Sequence, residues 1–407
     1  MKPLLLLARG EGRQLLDLHG RSILRDLPFP VLVFIDQANA SYASGAGENV
    51  ELEIVRWSNP ADLRERVLRR HAATPLLGIA TLDEKMVDLA AELRETLGLP
   101  GLHREASSHF RDKLVMKTLL AAAGVRVPAH ARCDQRAAVE SLLARHQRLV
   151  LKPVDGLGSR DVAFVDSPQE LRAWYEANQE PANYEAEEFI DGVLYHLNAV
   201  VRDHRPLLTA CAIYLPGMAN IDYSSGAPFV SVLVTDGELA ARLDRFSDKV
   251  IEVLGLPNGI THLECFVTAD DEIVFCETAA RPGGGGIVLM IEAQFGINYS
   301  RALLLLEGGR GDLVRLDPPA PAVAGLIGFR LSDTGFIRRI AHRERFAEDW
   351  IRHVHLPVEP GAFVAAASHC TDFIGLLIFA SRDRSEFETK RIDLYRRFYD
   401  ELETSPV

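Results

Sequence analysis

Residues 264–286 read ECFVTADDEIVFCETAARPGGGG. Two apolar runs flank an acidic turn, and such a segment closes as an antiparallel hairpin. Counted inward from Asp270-Asp271, a two- or four-residue connection sets Glu264 opposite Glu277. A three-residue connection would slip the register by one and part them. Like charges facing each other across a ladder repel. Two opposed carboxylates in an apolar hairpin therefore point to a cation held between them, and hard oxygen ligands favour Mg2+. The competing reading is a solvent-facing hairpin with two hydrated glutamates, but His262 and Phe266 share their face. Arg281 follows, and it can grip a carboxylate or phosphate through two parallel hydrogen bonds. Gly283, Gly284, Gly285 and Gly286 then precede an apolar helix, where bare backbone N–H groups suit an anion.

The chain has 407 residues, which predicts two or three domains rather than one core. A net charge of -12 argues against nucleic acid or an anionic membrane as the main partner. Five cysteines without a C-x-x-C spacing read as reduced, mostly buried thiols of a cytoplasmic protein. The hairpin count also sets Cys265 opposite Cys276. The opening MKPLLLLARG is too short in its apolar run for a signal sequence and reads as a buried first strand. No stretch approaches the length a membrane span needs.

Over the first hundred or so residues strand and helix signals alternate: LLLLA, PVLVFID, VELEIVRW and PLLGIAT as strands, residues 60–72 and EKMVDLAAELRETLG as helices. That alternation predicts a parallel sheet with helices packed on it. It contains no G-x-G-x-x-G, so no dinucleotide is assigned to it. RDKLVMKTLLAAAGVRVP predicts a helix stopped by Gly124, and SPQELRAWYEAN one capped by Ser167. Further helices are expected at about 237–254, 287–307 and 384–402, with a linker at 317–322.

Between these elements lie three motifs that are ordinary when taken singly. Lys113 opens a helix and alone reads as a solvated lysine. Lys152 ends an apolar strand just before Gly156-Leu157-Gly158-Ser159, either a simple hairpin loop or a glycine loop covering an anion. Glu187-Glu188-Phe189-Ile190-Asp191 could end a strand, or offer a flat base a backbone edge walled by Phe189 and Ile190.

Their order carries more than any one of them. Helix lysine, strand lysine with glycine loop, EEFIDG, then Glu…Glu-x-x-x-Arg-Pro-Gly-Gly resembles the ATP-grasp superfamily over about residues 105–310. The RPGGGG ending is similar to its carboxylate–amine ligase branch, which includes amino-acid ligases that make dipeptides. The resemblance implies an α/β chain, α+β in its ATP-binding part. A Rossmann-like parallel-sheet domain would span 1–110, a small lid 111–190, and a larger antiparallel catalytic domain 191–407 with a β-rich end from about 320. It implies ATP and Mg2+, or Mn2+ in its place, small carboxylate and amine substrates, and a homodimer. It puts Lys113, Lys152 and the loop Gly156, Gly158, Ser159 on the phosphates, and Glu187, Glu188, Phe189 and Ile190 on adenine. Asp191, or His196 and Asn198, would stand in for the ribose-binding glutamate, whose place Leu194 takes. Glu264 and Glu277 would bind the metal, with Glu277, Lys152 and Arg281 as the catalytic set. Arg281 with Gly283, Gly284 and Gly285 would hold the substrate. His262 and His196 are the candidates for taking the amine's proton. The chain departs from the family at Ala279, where an asparagine metal ligand is common, and at Arg160-Asp161, where a further glycine is common.

Overall fold

The structure is a computed structural model, and it describes residues 1–320 and 322–406. The first sheet is built from β1 (Leu4–Ala8), β2 (Val31–Ile35), β3 (Val50–Ile54) and β4 (Gly78–Thr81). It is wholly parallel, in the order β3-β2-β1-β4. The four leucines of β1 are buried on both faces, as parallel strands require. Leu5 and Leu7 pack on helices Pro60–Ala73 and Val87–Leu97, while Leu4 and Leu6 pack towards helix Tyr299–Glu307. Asn59 caps the first of these helices by accepting from Asp62 N–H, and Gly98, at φ +63°, stops the second.

A second sheet holds β5 (His130–Arg132), β6 (Leu149–Pro153), β7 (Ala163–Val165) and β8 (Tyr184–Glu188), ordered β5-β8-β6-β7. The loop between β6 and β7 carries the glycines. Helix Lys113–Ala122 starts at Asp112, whose carboxylate accepts from the N–H groups of Leu114 and Val115.

The largest sheet has eight strands: β9 (Gly192–Arg202), β10 (Arg205–Tyr214), β11 (Phe229–Leu233), β12 (Gly259–Thr268), β13 (Ile273–Ala279), β14 (Val323–Phe329), β16 (Ile351–His355) and β18 (Gly375–Ser381). It is antiparallel throughout, ordered β13-β12-β9-β10-β11-β14-β18-β16, so strands from beyond residue 320 continue the same surface. A small sheet joins β15 (Gly335–Arg339), β17 (Phe363–Val364) and β19 (Glu403–Ser405).

The helix expected at 287–307 is two helices, Ile287–Phe295 and Tyr299–Glu307. Gly296 adopts φ +66° and ends the first, and Asn298 caps the second by accepting from Arg301 N–H. Of the linker read at 317–322, residue 321 lies outside the described residues, and 317–320 have no regular structure.

Candidate active site

The hairpin of β12 and β13 does pair Glu264 with Glu277, but not by the expected turn. Thr268 N–H donates to Glu272 C=O (3.0 Å), and Asp271, at φ +63°, donates back to Thr268 C=O (3.0 Å). The connection is thus the three-residue kind that should part the glutamates. A bulge restores them: Cys265 pairs with Phe275, yet Glu264 pairs with Glu277, leaving Cys276 as the extra residue. Cys276 therefore does not face Cys265, and both thiols are free.

Two cavities meet at this pair. The larger, about 670 Å³, is lined by Lys113, Lys152, Gly156, Ser159, Glu187, Glu188, Phe189, Ile190, Asp191 and Cys276. The smaller, about 320 Å³, is lined by Gly158, His262, Arg281 and Gly283–Gly286, with loops Gly10–Asp17 and Leu82–Glu84 following β1 and β4. Leu157, Tyr214, Glu264 and Glu277 line both.

Lys113 and Lys152 are buried at one end of the larger cavity. Lys113 Nζ donates to Gly156 C=O (2.8 Å) and pairs with Glu277 (3.1 Å). Lys152 pairs with Glu187 at 2.7 Å. Two residues that sequence reasoning missed complete the set. Lys117, wholly buried one turn after Lys113, pairs with Glu185 (2.6 Å) and with Glu187 (2.5 Å). Lone buried charges are strongly disfavoured, and here two lysines and two glutamates pair with one another. Burial opposes the charge on Glu187, but Lys117 and Lys152 pull its pKa below the ordinary range. For Glu277 burial is likewise outweighed, by Lys113 and Lys152, and its pKa falls to about 2.

Other expected contacts divide. Phe189 and Ile190 wall the larger cavity, with the Arg148 guanidinium 4.3 Å from the Phe189 ring centre. Glu188 reaches its rim, but its carboxylate is held by Arg126 (2.9 Å) and Ala129 N–H (3.0 Å). His196 and Asn198 are fully buried behind the wall and line neither cavity, so neither reaches a ribose there, and His196 reaches no amine. They form a relay instead. Asn198 Nδ2 lies 3.4 Å from Ala210 C=O, which fixes it as a donor, so it donates to His196 Nδ1 (2.9 Å). His196 Nε2–H then donates to Ser231 Oγ (2.7 Å). Asn198 Oδ1 accepts from His262 Nδ1–H (2.8 Å), which leaves His262 Nε2 facing Glu264 at 3.6 Å. Tyr214 O–H donates to Glu264 (3.0 Å). Gly283 packs closely on this chain of contacts: a Cβ would stand 3.0 Å from His262 Nδ1 and 3.1 Å from Asn198 Oδ1, so the two would have to give by a few tenths of an ångström.

Arg281 is not open to a bidentate side-on grip. Its Nε (3.0 Å) and Nη2 (2.6 Å) donate to Glu84, and its Nη1 donates to Pro282 C=O (2.8 Å). The glycine loop has three left-handed residues, Gly158 (φ +66°), Ser159 (φ +57°) and Asp161 (φ +59°). Asp161 thus takes the backbone shape that a glycine would take at that place.

Among the described residues no cluster of three or more His, Cys, Asp or Glu side chains could hold a metal. Two carboxylates are the protein share of a Mg2+ site whose other ligands are phosphates and water. Glu264 and Glu277 fit that share because both are ligand-competent oxygen donors at the junction of the cavities. Ala279, buried where an amide is common, adds no third oxygen.

Residues 110–285 match the family profile described as ATP-grasp domain. Two relatives from Bacillus subtilis are each 26% identical: an L-arginine-specific L-amino acid ligase over 63% of this chain and 62% of its own length, and an alanine–anticapsin ligase over 58% and 55%. Both matches span less than two thirds of the relative. The crystal structure of an L-amino acid ligase from Bacillus licheniformis superposes with a TM-score of 0.76 at 20% identity, covering 100% of this chain and 99% of that one. Phosphoribosylglycinamide synthetase from Anaerococcus prevotii reaches 0.75 at 17%, over the whole of both chains.

Proposed function

Because residues 110–285 are an ATP-grasp domain on an ATP-grasp fold, we propose that the chain is an ATP-dependent carboxylate–amine ligase acting on amino acids or their small derivatives. The observation that carries this reading is the shared wall: Glu264 and Glu277 line both the lysine-rich cavity and the arginine-bearing one. A phosphate-transfer reaction needs its donor and acceptor to meet at one charge-stabilising point.

In this reading Lys113 and Lys152 bind phosphate oxygens, and Gly156–Ser159 covers them. Phe189 and Ile190 take the adenine, with the Ile190 backbone meeting a ring nitrogen. Glu187, kept ionised by two lysines, accepts from the exocyclic amine. Glu264 and Glu277 would hold Mg2+, or Mn2+ in its place, and a bound ion neutralises charge on the transferring group. Arg281 holds the substrate carboxylate, one oxygen of which attacks the terminal phosphate and releases ADP. The glycine loop keeps water from the resulting acyl phosphate. An amine then attacks the acyl carbon, the C–O bond to phosphate breaks, and an amide forms as phosphate leaves.

The test is ADP release by the whole protein across a panel of amino acids, singly and in pairs. Release that depends on an amino-acid pair, with the ligated product found by mass spectrometry, is the expected result. Background-level release across a full panel would count against it. Release that requires bicarbonate instead would indicate nitrogen carboxylation.

A further inference from the structure

We infer that Glu84 is a positioning residue that fixes which N–H groups of Arg281 face the smaller cavity. The inference rests on the ligase reading for what Arg281 binds, while the bridge itself is a matter of geometry. Glu84 opens the single turn Glu84–Met86 that follows β4. It therefore stands at the carboxyl end of a parallel strand, where such sheets present their ligand-facing groups. Its Oε2 accepts from both Nε and Nη2 of Arg281, and its Oε1 accepts from Arg111 Nη1 at 2.6 Å. Each carboxylate oxygen serves one arginine, and Arg111 is itself buried. Glu84 is thus held in place from behind rather than swinging from a flexible stem.

A guanidinium has five N–H groups. Glu84 engages two of Arg281's and Pro282 C=O a third, which leaves one on Nη1 and one on Nη2. A substrate anion can meet those two alone, from the outer end of the fork. Without Glu84 the side chain could turn about its long stem and spread its donors over several directions. Burial disfavours the charge on Arg281, and Glu84 more than offsets that effect. The bridge also reaches the lid: Arg111 Nη2 donates to Asp155 C=O (3.2 Å), the residue before Gly156. The first sheet, the base of the glycine loop and the anion-binding arginine are therefore joined through one carboxylate.

The experiment compares wild type with Glu84→Gln and Glu84→Asp in the full chain. Hydrogen-exchange NMR on the arginine Nε–H groups reads the bridge without turnover. Arg281 Nε–H should exchange slowly in wild type and at solvent-exposed rates in Glu84→Gln, with Glu84→Asp between them. In the steady state, Glu84→Gln should raise KM for the activated carboxylate about tenfold, the scale of one charged hydrogen bond, while KM for ATP stays unchanged. An unchanged carboxylate KM would overturn the inference. So would equal rises in both KM values with a lowered Tm, which is what a merely structural ion pair would give. If wild type releases no ADP with any carboxylate, the ligase reading fails, and the exchange rates alone decide the bridge: equal protection in wild type and Glu84→Gln overturns it.

Discussion

At Glu277 the neighbouring lysines overcome burial so far that the carboxylate is ionised at every physiological pH. Glu277→Gln keeps the shape and removes the charge. We expect ADP release to fall about 100-fold or more, the scale of removing one preorganised electrostatic contact. Circular dichroism should be unchanged, and near-normal turnover would defeat the metal assignment. Gly158 is a second decisive residue. A Cβ there would lie 2.4 Å from His369 Nε2 on a backbone at φ +66°. Gly158→Ala should therefore stop the loop from seating, so that ATP is hydrolysed without ligated product. Adding His369→Ala removes the clash but not the left-handed strain of roughly 1–2 kcal/mol, so it should restore product only in part. No recovery would show that the contact does not govern seating, and full recovery would show that the clash alone, without the strain, had stopped it. Lys113, Lys152 and Arg281 were singled out by the order of the motifs, each being ordinary alone, and the first two line the larger cavity while Arg281 lines the smaller. Lys117 was not, since a helix lysine four residues after another looks solvated until a strand brings Glu185 and Glu187 over it.

The hairpin of β12 and β13 shows where element-level reading succeeds and where it stops. Alternation of apolar residues located both strands, and the facing glutamates are opposite as counted. The turn was misjudged because Asp271 enters the left-handed region, which the sequence ADDE does not demand. The bulge that compensates has no sequence mark, for Cys276 simply continues the apolar run Ile273–Phe275. His196 and Asn198 misled for a related reason: alternation on β9 turns them inward, but the sequence does not tell which inner space they enter. A bulge re-aims a side chain, and Cys276, its extra residue, joins Glu277 on the larger cavity. Cys276→Phe should fill that wall and weaken ATP binding about tenfold, the scale of overpacking a tight site. Calorimetry checks this, and an unaltered affinity would place the thiol outside the nucleotide's footprint.

At the scale of the whole molecule, four histidines among the described residues have a lowered pKa: His196, His353, His355 and His369. Burial is the main cause in each, and Arg13 adds to it at His355, whose pKa falls to about 4. A histidine with a depressed folded pKa binds fewer protons folded than unfolded. Such a group leaves stability untouched above pH 6.5 and lowers it as pH falls below that, for His355 down to about 4. The Glu277 contribution is lost later, as pH falls from 4.5 through 2. Thermal melts from pH 7.5 to 4.5 should show Tm declining from about pH 6.5 downward, and a flat profile would contradict the lowered histidine pKa values. No helix among the described residues is long and apolar enough to cross a membrane. The wall common to the two cavities has a consequence for anyone wishing to retarget this protein. On the proposed reading Tyr214, Glu264, Glu277 and Leu157, which line both cavities, are a partition between nucleotide and substrate, and altering them to suit a new substrate would disturb the nucleotide too. Residues of Gly10–Asp17, with His353 and His355, line the smaller cavity alone. On that reading, substrate choice can be redrawn there while the phosphate-transfer machinery is left as it stands.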